Sequence, residues 1–151
     1  SLSKASAMIK GLSILPEARL AFRTGRIHAM HDVTEGGVIG AVFEMSVSSG
    51  LGFELDAELV PVKPATKQVC NLLDIDPLKL IGSGALLIAC PERSQKIIER
   101  VLGSNGIRCS RIGRFLSSKK TKVLLASSQR LQLTEANIQD ELWPALAKHQ
   151  R

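Results

Sequence analysis

The sequence predicts an α+β fold, and three observations carry that expectation. Segments with apolar residues at helical spacing alternate with short apolar runs bounded by glycine or proline. The length of 151 residues suits one domain with a buried core. Hydrophobic residues make up 44% of the chain and charged residues 23%, the balance of an ordinary globular protein. A single domain over residues 1–151 is expected, with no internal repeat, low-complexity tract or linker.

Leu2, Ala5, Ile9 and Leu12 form one apolar stripe at helical spacing. Pro16 at a first turn and Gly25 at a stop predict a short helix in PEARLAFRTG. IHAMHDV reads as a strand. After Gly36 and Gly37, the residues Val38, Ile39, Val42 and Met45 line one side of a helix that runs to about Ser49 and stops at Gly50. LGFEL is a short strand, and PATKQVCNLLD is helical behind Pro64. DPLKLIGSG is a turn and irregular segment ahead of ALLIAC, the most apolar strand. Ile97, Ile98, Val101 and Leu102 give ERSQKIIERVLGSNG a helical face. IRCSRIGRFL, KVLLAS and RLQLT follow as strands of a meander. A last helix is expected over 137–147, with Trp143 as its hydrophobic anchor. The β-α-β, α-β, α-β order fits a ferredoxin-like core with added elements.

Composition narrows the function. The formal charge is +6, much of it in RCSRIGRFLSSKKTK. If Arg108 to Phe115 is a strand, Arg108 and Arg114 share one face and Arg111 lies on the other, which is no continuous basic stripe. Aromatic residues are 3% with no tyrosine, so platforms for base stacking are scarce and nucleic acid is not the expected partner. No apolar run approaches the roughly 20 residues that span a bilayer, and no membrane contact is expected. The three cysteines, Cys70, Cys90 and Cys109, are widely spaced without a C-x-x-C pair. Neither a zinc site nor a disulfide framework is suggested, and reduced thiols point to a cytoplasmic location.

HDVTEGGVIGA, His31 to Ala41, holds most of the polar chemistry of the first half. A strand that turns through Gly36 and Gly37 into a helix aims backbone N–H groups beyond its end, and glycines let a ligand approach closely. The G-x-G-x-x-G pattern and a Walker lysine are both missing. Asp32 and Glu35 would repel phosphate unless Mg²⁺ or a basic group stood between; they suit hydroxyls, amines or metal better. A capping box, with Asp32 as N-cap and Glu35 three residues on, is the alternative. His31 is a candidate proton carrier or a hydrogen-bonded strand-end residue. If the strand persists, His31 and Asp32 point to opposite faces. A second small-residue loop, IGSGALL, offers the Ser83 hydroxyl between Gly82 and Gly84, or a tight turn into a buried strand. No two-histidine or cysteine spacing supports a metal site.

HAMHDVTEGGVIGAVFEMSVSSGLGFEL and VPVKPATKQVCNLLDIDPLKLIGSGALLIACP together closely resemble the C-terminal domain of the AIR synthase (PurM) superfamily, nearest its HypE-like and AIR synthase-related branches. The likeness is strong over Ile27 to Pro91 and continues through IGRF and DELWPAL. It implies an AIR synthase C-terminal-domain-like α+β fold, a mixed sheet with flanking helices and partial ferredoxin-like topology. It also implies an ATP-dependent enzyme whose ATP and Mg²⁺ lie in an N-terminal domain absent from this chain, so that no cofactor is expected here. Asp32, Thr34, Glu35, Gly36, Gly37 and Ser83 would face the substrate or phosphate cleft, with His31 and Asp32 as the catalytic candidates. The partners implied are that N-terminal domain, a small-molecule or protein-tail substrate and, in the complete protein, a homodimer. The chain alone is expected to be inactive. A non-catalytic ferredoxin-like module that senses a metabolite or binds a protein is the alternative.

Overall fold

A computed structural model of the chain describes residues 11–149, the side chain of His149 excepted. The stripe expected over Leu2, Ala5 and Ile9 lies outside the described residues. The chain forms two compact units, one from residues up to Val33 together with Ser83–Cys109, the other from Thr34–Gly82 with Ser110 onward.

In the first unit, α1 (Leu15–Arg23) starts with Pro in its first turn, where the missing N–H costs no helical bond. Glu17 near its start and Arg23 near its end both complement the helix dipole. Strand β1 (Ala29–Asp32) pairs antiparallel with β3 (Leu86–Ala89), placing Met30 opposite Ile88 and His31 opposite Leu87. Helix α4 (Gln95–Gly103) turns Ile98 and Leu102 inward and packs on α1, whose Ala21 is fully buried. Burying each of these large apolar side chains stabilises the unit by about 1.5–3 kcal/mol.

The second unit is a four-stranded sheet with helices. Helix α2 (Gly37–Ser49) buries Ile39, Val42, Phe43 and Met45 and ends at Gly50 in the left-handed region. Strand β2 (Gly52–Asp56) follows at once, and its Phe53 ring meets Phe43 edge-on at 6.5 Å. Such a pair adds about 0.5–1.5 kcal/mol beyond its buried area. Helix α3 (Pro64–Leu73) turns only Cys70 fully inward. Strands β4 (Gly113–Leu116), β5 (Lys122–Ala126) and β6 (Gln129–Gln132) complete the sheet in the order β4-β2-β5-β6. Helix α5 (Leu142–His149) closes the described chain.

Several expectations need correction. The last three strands are no meander: β2 inserts between β4 and β5, antiparallel to the first and parallel to the second, and only β5 and β6 form a hairpin. The fold is therefore α+β with a mixed sheet and flanking helices, as expected. The strands are ordered as a β1-β3 pair and a four-stranded sheet, β4-β2-β5-β6, with a parallel pair at its centre. Strand β4 begins at Gly113, so Arg108 and Arg111 lie before it. The final helix starts at Leu142 behind a short 3₁₀ turn at Glu135–Asn137. Trp143 is 55% exposed there, and Ala145 is the residue that the helix buries. Among the described residues no helix is long and apolar enough to cross a membrane.

Candidate functional site

In the first unit the strand persists through Asp32, opposite Leu86. Val33 N–H donates to the carbonyl of Ala85 at 3.0 Å, which extends the pairing and brings Asp32 and the exposed Ser83 to the same end of the ladder. His31 Nδ1 lies 2.5 Å from the backbone oxygen of Asp32 and 3.6 Å from its Oδ1. A carbonyl oxygen only accepts, so Nδ1 carries the hydrogen in this contact. The two side chains are thus closer than simple alternation implied. The Asp32 carboxylate is 59% exposed, enough to meet a ligand.

The second unit begins with Thr34 and Glu35, both exposed, and then Gly36 and Gly37, both buried. The capping box does not form. Helix α2 starts at Gly37, its cap position is Gly36 at φ +75°, and no side chain caps it. Gly37 itself has φ +64°, so a right-handed turn cannot run from Asp32 through the glycines. Gly37 N–H instead closes a tight turn on the Thr34 carbonyl at 3.1 Å, and Gly40 N–H reaches the Gly36 carbonyl at 2.9 Å.

Close approach to the glycines is used by the protein's own backbone. A Cβ on Gly36 would lie 2.5 Å from the carbonyl oxygen of Ile138. One on Gly37 would lie 2.8 Å from that of Leu80 and nearer still to that of Leu78. Ile39 N–H donates to the same Leu78 oxygen at 3.2 Å. Gly36 N–H donates to Asp140 Oδ2 at 3.1 Å, so a carboxylate already stands at the positive end of α2. A phosphate brought to this helix start would meet the Asp140 carboxylate there.

Asp140 and Glu141 open DELWPAL, which the sequence singled out only through the family likeness and not as part of the site, although an aspartate just before a helix suits an N-cap. Its Oδ1 accepts from Leu142 N–H at 2.8 Å, starting α5. Glu141 accepts from Asp76 N–H at 2.5 Å and from Lys79 Nζ at 3.0 Å. Burial pushes the Glu141 carboxyl up, yet the Asp76 N–H and the Lys79 ammonium outweigh it and hold it below the usual carboxylate range. Cys70 is fully buried, and burial, with the negative charges of Asp76 and Glu141, pushes its thiol up. On the sheet, Glu54 binds Arg114 at 2.6 Å and Arg130 at 2.8 Å, and these guanidinium groups lower its carboxyl. Part of the basic excess is thus internally matched. Among the described residues no three His, Cys, Asp or Glu side chains gather as a metal-binding group.

A mixed sheet with flanking helices, entered from a strand through a glycine pair into a helix, defines an α+β domain of the AIR synthase type. The profile of the AIR synthase related protein, C-terminal domain, matches residues 5–126, and the chain belongs to that family. Carbamoyl dehydratase HypE of Escherichia coli (strain K12) is 33% identical over 99 residues, which are 64% of this chain and 30% of that protein. The same enzyme of Bradyrhizobium diazoefficiens is 39% identical over 83 residues, 54% of this chain and 24% of that protein. The chain therefore spans less than a third of the length of these curated relatives. The crystal structure of E. coli HypE matches with a TM-score of 0.72 at 28% identity, over 80% of this chain and 39% of that one. A structure of HypE in complex with ATP matches with a TM-score of 0.63 at 25% identity, over 75% of this chain and 38% of that one.

Proposed function

We propose that the chain is the substrate-positioning C-terminal part of an ATP-dependent enzyme of the HypE type. ATP and Mg²⁺ are held by an N-terminal domain outside this chain, and the complete protein is a cytoplasmic homodimer. The substrate is a small molecule or a protein tail. The observation that carries the reading is the exposed Asp32 carboxylate at the end of β1, beside His31 Nδ1 and at the ladder end that also presents Ser83. A carboxylate accepts hydrogen bonds from amide, amine or hydroxyl groups and repels phosphate, so Asp32 holds the uncharged part of a substrate. Thr34 and Glu35 present exposed polar groups, while Gly36 and Gly37 shape the backbone that carries them.

The test is Asp32→Ala in the complete enzyme. Losing a charge-assisted hydrogen bond to substrate costs about 1.5–3 kcal/mol, so turnover falls about tenfold to a hundredfold. The thermal midpoint stays within about 2 °C, because the side chain is exposed. Unaltered turnover, or loss of the folded state, counts against this role.

A further inference from the structure

We propose that Asp140 is a positioning residue for the glycine loop, standing in the place that an anionic ligand would take at the start of α2. Its two carboxylate oxygens serve two segments at once: Oδ2 accepts from Gly36 N–H at 3.1 Å, and Oδ1 accepts from Leu142 N–H at 2.8 Å. The same strut is fixed by its neighbour. Glu141 ties the start of α5 to Asp76 N–H and Lys79 Nζ, and its own N–H reaches the Lys79 carbonyl at 3.4 Å. The 76–80 segment in turn covers Gly37 through the Leu78 and Leu80 carbonyls. Three stretches distant in sequence therefore meet around two glycines with positive φ.

Asp140 and Glu141 lie beyond residues 5–126, the span that matches the family profile. The carboxylate that sets the loop thus lies beyond that matched span, in the same compact unit as the loop. Its consequence deepens the proposed function and rests on it in one respect, that Thr34 and Glu35 belong to the site. The backbone N–H of Gly36 is reserved for Asp140 and that of Gly37 for the Thr34 carbonyl, so substrate does not meet the loop through the glycine amides.

Amide hydrogen exchange on the 151-residue chain, resolved by NMR, tests this directly. Asp140→Ala removes both acceptors, and Gly36 and Leu142 amides are expected to exchange about tenfold faster or more. Ile39, bonded to Leu78, is expected to keep its rate. Asp140→Asn leaves one side-chain acceptor for two donors, so one of the two amides stays protected and the other is released. If Asp140→Ala fails to fold, Asp140→Asn carries the test alone. An unchanged Gly36 rate in folded Asp140→Ala, or unchanged rates of both Gly36 and Leu142 in Asp140→Asn, overturns the proposal for the loop. Equal acceleration of Gly36 and Ile39 also overturns it, since Asp140 would then act through general stability. None of these rates depends on ATP turnover, so a failure here is separable from a failure of the proposed function.

Discussion

Gly37→Ala probes the most crowded backbone position of the candidate loop. The new Cβ would lie 2.8 Å from the Leu80 oxygen and closer to that of Leu78, and neither is a flexible side-chain end that can move aside. An L-residue at φ +64° costs about 1–2 kcal/mol by itself. Shifting the 78–80 backbone adds about 1–3 kcal/mol of overpacking strain, and weakening the Ile39 to Leu78 bond about 1 kcal/mol more. The sum is about 3–6 kcal/mol. Gly50→Ala, at the other end of α2, is the control in the same unit. Its φ of +66° carries the same backbone cost, but its Cβ meets only the Lys119 side chain, at 3.4 Å. That variant should lose about 1–2 kcal/mol. Urea denaturation of both variants reads the difference. A Gly37→Ala loss within about 0.5 kcal/mol of the Gly50→Ala loss would refute the claim that backbone crowding defines the loop.

Other expectations follow from burial and charge. Cys70, fully buried and with its thiol pushed up, should resist a thiol-alkylating reagent at pH 8 and label only on unfolding; mass spectrometry reads this, and prompt labelling contradicts it. Glu141 and Glu54 are held below the usual carboxylate range, so the stability they contribute is present above that range and is lost as pH falls through their lowered values. Glu141→Gln should therefore flatten the fall in urea midpoint as the solution is acidified, and an unchanged slope would contradict the Lys79 and Asp76 contacts. Trp143→Ala, at a 55% exposed position, should change stability by less than about 0.5 kcal/mol; a larger loss would restore the anchoring role expected for it.

Local signals recovered the local structure. The Val38–Met45 stripe and Gly50 located α2, Pro64 located the start of α3, and the Ile97, Ile98, Val101, Leu102 face located α4, whose first expected residues Glu92–Ser94 form a 3₁₀ turn. Contacts across long stretches of chain left no such trace. The parallel pairing of β2 with β5 joins segments with β4 between them in sequence, and adjacency alone suggested a meander. Asp140 reaches Gly36 across 104 positions, and the sequence reading only placed it inside the last helix. The glycine pair was legible as a place of close approach, but what approaches proved to be backbone from 78–80 and 138. The strand read over IHAMHDV proved to be Ala29–Asp32, and the competing role of Asp32 as a cap fails on the positive φ of both glycines.

The central claim is a division of labour in which this chain positions substrate and another domain holds the nucleotide. Calorimetric titration of the 151-residue chain with ATP and Mg²⁺ tests it most directly. The expected result is no saturable heat, with ATP binding seen only in the complete protein. Saturable one-to-one binding by the chain alone would contradict that division.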